Sequence, residues 1–95
     1  MTTVDFKDDM LRINGPLGFS DVMSVYNQSL PIFLKRQAFS IDLAGVKHTD
    51  SSALALICEW LRVAKREKIK VQFINTPAQL RSVAMLCGVA TLFSL

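Results

Sequence analysis

His48-Thr49-Asp50-Ser51-Ser52 packs an imidazole, a carboxylate and three hydroxyls into five consecutive positions. Histidine, aspartate and serine are the letters of a nucleophilic triad. A working triad needs each side chain to hydrogen-bond the next in line, which neighbours on one short stretch of chain rarely manage. No Gly-x-Ser-x-Gly elbow and no glycine-rich phosphate loop accompanies them. The chain is therefore expected not to be an enzyme, and His48 reads as a solvated loop residue.

A helix start gives these residues a different chemistry. Asp50-Ser51-Ser52 runs directly into Ala53-Leu54, the opening of an apolar-periodic segment. Backbone N–H groups there lack intrahelical partners and the helix dipole is positive. One capping side chain stabilises such a start by about 1 kcal/mol. Three polar residues in a row leave hydroxyls to spare, for docking or for phosphorylation. A phosphoryl group on Ser52 or Ser51 would bring about two negative charges beside Asp50, which suits an off-switch for binding. The expected partner surface is His48, Thr49, Asp50, Ser51 and Ser52, continued along the helix by Ala55, Glu59 and Arg62. Small Ala55 lets a partner approach closely, and the two charges supply specificity.

The elements that must position this surface follow from periodicity. Val4 to Lys7 and Met10 to Asn14 alternate apolar and polar residues, with Lys7-Asp8-Asp9 between them as a turn, a hairpin signature. Gly15-Pro16-Leu17-Gly18 breaks the chain. Ser20 is the expected N-cap of a helix with Val22, Met23, Tyr26 and Leu30 on one face, which Pro31 ends or kinks. Phe39 to Leu43 reads as a buried central strand ending at Asp42-Leu43, with a polar loop after it. Ser51 to about Lys68 is the clearest helix. Leu54, Ile57, Trp60, Leu61 and Ala64 share one face and Ser51, Ala55, Glu59, Arg62 and Arg66 the other, with Leu56 and Val63 at the edge of the apolar arc. Trp60 is expected in the core. Lys70 to Ile74 is a further strand. Asn75-Thr76-Pro77 opens a last helix with Leu80, Val83, Ala84 and Cys87 in its stripe and Gly88 as its cap. Leu92 to Leu95 forms a terminal strand or packing segment. The order β-β-α-β-α-β-α gives an α/β fold: a mixed, mostly parallel sheet of four to five strands with helices mainly on one face.

Composition narrows the function classes. Ninety-five residues suit a single domain. A hydrophobic content of 51% excludes a disordered chain. The longest wholly apolar run, Ala53 to Cys58, is far short of a bilayer span, and the first residues lack the basic and apolar regions of a signal peptide. A cytoplasmic protein without direct membrane insertion is expected. Cys58 and Cys87 fit a reducing compartment as small buried apolar residues. No Cys/His cluster suggests a metal, and no cofactor is expected. The net charge of +3 reflects bases at Lys35-Arg36 and from Lys65 to Lys70, which complement helix C-termini. No module or interleaved aromatics point to nucleic acid.

Ile41-Asp42-Leu43, Val46 and Asp50-Ser51-Ser52-Ala53-Leu54 resemble the signature of the STAS domain, shared by anti-sigma factor antagonists and sulfate transporter tails. That signature is an apolar strand ending in Asp-Leu, then Val, then Asp-Ser-Ser-Gly-Leu opening a helix. Ala53 replaces its glycine, and Gly15-Pro16-Leu17-Gly18 stands where many members carry Gly-Glu-Leu-Asp. The resemblance implies the STAS fold over residues 1–95. Short length and the basic end of the Ser51 helix make the chain look most like the stand-alone STAS subunit of the Mla phospholipid-transport system. That resemblance implies a partner-binding regulator of the cytoplasmic ATPase of an ABC transporter, held at the inner membrane through a permease, in maintaining outer-membrane lipid asymmetry. In that subgroup the hydroxyl after the motif Asp, here Ser51, matters. The alternative is an anti-sigma factor antagonist that binds a kinase-like anti-sigma factor, with the phosphorylated serine at Ser52.

Overall fold

The structure, a computed structural model, describes residues 2–78 and residue 80. Strand β1 (Thr3–Lys7) and strand β2 (Met10–Leu17) form the expected hairpin. Both turn residues take positive φ, Asp8 at 55° and Asp9 at 57°. A two-residue turn of that hand matches strand twist, and aspartate tolerates left-handed backbone better than most residues.

Helix α1 (Val22–Phe33) leads to strand β3 (Ala38–Thr49), and helix α2 (Ser51–Arg66) to strand β4 (Lys70–Ile74). The sheet order is β1-β2-β3-β4, with β2, β3 and β4 parallel and β1 antiparallel at the edge. Both helices bury side chains in one core. Leu11, Ile13, Phe39, Ile41, Leu43 and Phe73 point into it from the strands, while Arg12, Ser40, Asp42 and Gln72 alternate to the other face. This is the mostly parallel sheet with helices on one face that periodicity implies.

Two expected breaks are strand. Gly15-Pro16-Leu17 continues β2, and the polar segment after Leu43 continues β3 to Thr49. The two extensions pair with each other, Gly15 with Val46 and Leu17 with Thr49, across register shifts that absorb the irregularity. β1 pairs with β2 only as far as Asn14, so Pro16 sits where no ladder on that side needs its N–H. Gly45 makes the pairing possible. A Cβ there would lie 2.9 Å from the Ile13 carbonyl oxygen and collide with the Asn14 side chain.

The helices also depart in detail from their expected faces. Asp21, not Ser20, holds the N-cap position of α1, and its side chain makes no cap bond. The buried face of α1 is Val25, Ser29 and Phe33, leaving Met23 on the solvent side. Pro31 lies within α1, two residues before its end, so the helix stops soon after it. On α2 the buried set is Ala53, Leu56, Ile57, Trp60, Val63 and Ala64, with Leu54 and Leu61 half-buried. The apolar arc is thus rotated towards Leu56 and Val63. The same rotation leaves Cys58 exposed, against its expected burial. The expected last helix beyond Leu80, with Val83, Ala84, Cys87 and the Gly88 cap, and the segment 92–95 lie outside the described residues.

Trp60 is fully buried and links the layers. Its indole packs between Phe33 at 6.1 Å and Phe73 at 6.3 Å. Its Nε1 donates to Ser29 Oγ at 2.8 Å, and that hydroxyl donates to the Tyr26 carbonyl at 2.9 Å. Helix α1 is thereby fixed against α2 by a satisfied polar bond inside an apolar core.

Candidate functional site: the start of α2 and the groove between the helices

Asp50 alone caps α2. Its extended backbone (φ −139°, ψ −169°) leaves β3, and Oδ1 accepts from Ser52 N at 2.8 Å. Oδ2 accepts from Phe19 N at 3.2 Å, in the connection between β2 and α1. One carboxylate thus joins both loops at this end of the sheet. Gly18 lies close beside it: a Cβ there would stand 3.2 Å from Asp50 Oδ2, a tight approach that the carboxylate would have to ease by a small shift. The Ser52 N–H holds the Asp50 carboxyl below its ordinary value of 3.8, helped by the Ser52 hydroxyl and the Phe19 N–H and opposed by partial desolvation.

A lowered folded-state value has a definite sign. The stabilisation from ionised Asp50 is fully present above its unfolded value and fades as pH falls through the folded one. Thermal unfolding of wild type and Asp50→Asn, followed from neutral pH into acid, checks it. Wild type is expected to be the more stable at neutral pH, and the gap between the two should close in acid. A gap that stays constant would refute the assignment.

With capping done by Asp50, Ser51 faces outward, while the Ser52 hydroxyl bonds the Asp50 carboxylate. Ser51 is exposed at the first helical position, and Ser52 is half-buried one residue on. Ser52, Ala55 and Glu59 then form one wall of a groove of ≈ 610 Å³ between α2 and α1. Phe19, Val22, Met23 and Tyr26 form the other wall. Phe19 is 83% exposed and Met23 66%. Large apolar side chains this open to water, gathered around one concavity, are characteristic of an interaction surface.

The expected partner surface therefore falls into three parts. Asp50, Ser51, Ser52, Ala55 and Glu59 lie together along the start and outer face of α2. Arg62 lies one turn beyond and pairs with Glu59 at 2.9 Å. His48 and Thr49 are the last residues of β3 rather than loop, with His48 exposed. Both Asp50 oxygens are taken up by Ser52 N and Phe19 N, so Asp50 is committed to architecture rather than to orienting His48. Phe19, Met23 and Tyr26 were not foreseen. Their signal was present in the sequence: a phenylalanine just after a Gly-Pro-Leu-Gly segment, and a helix with more apolar positions than one buried stripe can hold.

A second carboxylate is engaged further down β3. Asp42 Oδ1 accepts from Ala44 N at 2.9 Å and from Asn75 Nδ2 at 3.0 Å, with Arg12 Nε 3.8 Å from Oδ2. The Asp of the Asp42-Leu43 pair therefore ties β3 to the segment after β4. Among the described residues no His, Cys, Asp or Glu cluster is arranged to hold a metal, and no helix is long and apolar enough to cross a membrane.

The family model described as MlaB, STAS domain matches residues 1–94. The chain belongs to the STAS domain family. Solved structures agree on the fold. A candidate anti-sigma factor antagonist of Thermotoga maritima aligns with a TM-score of 0.77 at 16% identity, covering 98% of this chain and 83% of that one. An anti-sigma factor antagonist of Mycobacterium paratuberculosis aligns at 0.73 and 20% identity, covering 98% and 81%. The phosphorylated Bacillus cell fate determinant SpoIIAA aligns at 0.72 and 13% identity, covering 98% and 88%. At these identities the likeness is one of fold. None of the curated proteins compared matches the chain.

Proposed function

We propose that this STAS domain, comprising residues 1–95, is a non-enzymatic regulatory subunit. It docks the Ser51 end of α2 and the adjoining groove onto the cytoplasmic ATPase of an ABC phospholipid transporter. The observation that carries the reading is the groove itself. It offers exposed Phe19 and Met23 beside the groove-lining Ser52 and exposed Ser51, with the Glu59–Arg62 pair on its flank. An apolar centre with a polar, charged rim is the anatomy of a protein interface. The MlaB description of the matching family model supports the transporter as the partner. His48 and Thr49 extend the surface across the end of β3. The protein would sit on the cytoplasmic side of the inner membrane, held there through the ATPase and its permease.

A second reading draws on the solved neighbours, which include an antagonist in phosphorylated form. In it the partner is a kinase-like anti-sigma factor, and Ser52 or Ser51 is the phosphorylated residue. A single experiment separates the two. Tagged wild-type chain captured from its own cells is expected to bring down an ABC-type ATPase with its permease. Ser51→Glu, folded to the same Tm, is expected to lose at least about tenfold of that recovery, since a charge is placed in the contact. Recovery of a kinase-like anti-sigma factor in place of the ATPase overturns the transporter reading. Equal recovery by Ser51→Glu overturns the assigned surface.

A further inference from the structure

The basic residues of this chain are unevenly distributed. α2 is sixteen residues long and so spans about 24 Å, putting its C-terminus at the opposite end of the domain from Ser51. Lys65 and Arg66 close that helix and Lys68 follows it. Lys35 and Arg36 follow the C-terminus of α1. Lys70 opens β4, and Lys7 ends β1. Hence seven of the chain's eleven lysines and arginines meet at one pole.

Backbone bonds hold these segments together. Lys70 N donates to Gln37 O at 2.8 Å, Ile69 N to Ala64 O at 2.8 Å, and Ser40 N to Asp9 O at 3.0 Å. The connections after α1, after α2 and at the hairpin are therefore stitched side by side. Of the acids at this pole, Glu67 is neutralised by Arg66 at 3.0 Å, and Asp8 and Asp9 lie on the hairpin tip. The helix dipole accounts for Lys65 and Arg66 in the last turn of α2. It does not account for Lys35 and Arg36, which follow α1, or for Lys68, Lys70 and Lys7.

Leu34 stands among these cations. It caps the C-terminus of α1 and is 53% exposed. Clustered lysines around an exposed aliphatic side chain match the surface of an anionic bilayer: the ammonium groups meet lipid phosphates and the aliphatic tip enters the headgroup region. Nucleic acid would call for an aromatic face open to stacking. Of the aromatics at this pole, Phe33 and Phe39 are buried and Phe6 is covered by the Arg36 guanidinium at 3.8 Å from the ring centre.

We propose that this pole, opposite the Ser51 docking end, is a contact surface for anionic phospholipid, with Lys35, Lys65, Lys68 and Lys70 on the headgroups and Leu34 at the tip. The proposal stands independently of the partner assigned above. The two ends point apart, so both can be engaged at once, and contact with the bilayer would restrain how the docked subunit is oriented.

Vesicle flotation of the full chain tests it. The chain is expected to float with vesicles of phosphatidylglycerol mixed with phosphatidylcholine, and not with phosphatidylcholine alone. Each lysine near such a surface is worth about fivefold in partition, so Lys65→Glu combined with Lys68→Glu should weaken binding at least about 25-fold. Both sites are exposed and outside the docking end, so partner capture should be unchanged, and Tm should fall only by the small dipole effect of reversing Lys65 at the end of α2. Raising the salt weakens the charge contribution, and there Leu34→Ser should bind less than wild type. Failure to float on the anionic vesicles, equal binding by the double variant, or tighter binding to random-sequence RNA than to vesicles at the same salt would each overturn the assignment.

Discussion

Ser52→Glu is expected to weaken partner binding by about 100-fold while leaving Tm nearly unchanged. The two halves of this expectation have separate causes. In the free chain the new carboxylate stands in the first turn of α2, where the dipole favours negative charge by about 0.3–1 kcal/mol. That gain offsets its repulsion from Asp50 and the loss of the Ser52 hydroxyl's bond to that carboxylate, and the Asp50 cap bond from the Ser52 backbone N–H does not depend on the side chain. In the complex the same carboxylate is trapped in the groove between Phe19, Met23 and Ala55, stripped of water and lacking a cation of its own. Truncating or misplacing a central interface residue costs about 2–4 kcal/mol, and an unpaired charge desolvated in the groove falls within that range; 100-fold corresponds to about 2.7 kcal/mol. Titration calorimetry with the captured partner, paired with thermal unfolding, reads both halves. A Tm loss in proportion to the binding loss would mean that Ser52 acts through the fold. Ser52→Ala should bind almost as wild type, because the groove contact depends on shape and neutrality rather than on the hydroxyl. A loss with Ser52→Ala as large as with Ser52→Glu would instead make the hydroxyl a direct ligand of the partner.

How legible this molecule was depended on the range of the forces concerned. The hairpin, α2 and β4 follow from local periodicity, and the structure has them within a residue or two except at the end of β2, which runs three residues past Asn14. The cap at Asp50 is equally local. What periodicity missed is non-local. Residues 15–17 and 44–49 are poor strands separately and form a ladder only because each supplies the other's hydrogen-bond partners, with Gly45 removing the one clash. The inward face of α1 was misassigned because Ser29 looks polar in isolation. Only the Trp60 indole, thirty-one residues away, makes a hydroxyl the right group for that buried site. The docking residues proposed on α2 could be grouped in advance because they lie on one helix. The opposing wall, Phe19 and Met23, comes from another element, and only the packing of α1 against α2 brings it to the groove.

That packing turns on Trp60, so Trp60→Ala is expected to be the most damaging single substitution in the chain. Removing a fully buried tryptophan costs about 3–5 kcal/mol, against a total stability of about 5–15 kcal/mol for a domain of this kind. The expected fall in Tm is roughly 15–30 °C. Milder variants divide the effect into its parts. Ser29→Ala strands the indole N–H in the core and should cost about 1–3 kcal/mol. Trp60→Phe keeps an aromatic between Phe33 and Phe73 and leaves Ser29 Oγ still donating to the Tyr26 carbonyl. Ser29→Ala with Trp60→Phe leaves no orphaned donor, so the pair should cost less than the sum of the singles by about 1 kcal/mol. Strict additivity in denaturant unfolding would show that the indole bond contributes nothing. The same cycle bears on function, because this bond sets the spacing of α1 and α2 and hence the width of the groove. At a temperature where Ser29→Ala is still fully folded, it should already bind its partner more weakly than wild type. Unchanged affinity would mean that the partner reads the start of α2 without the α1 wall, and that Phe19 and Met23 lie outside the contact.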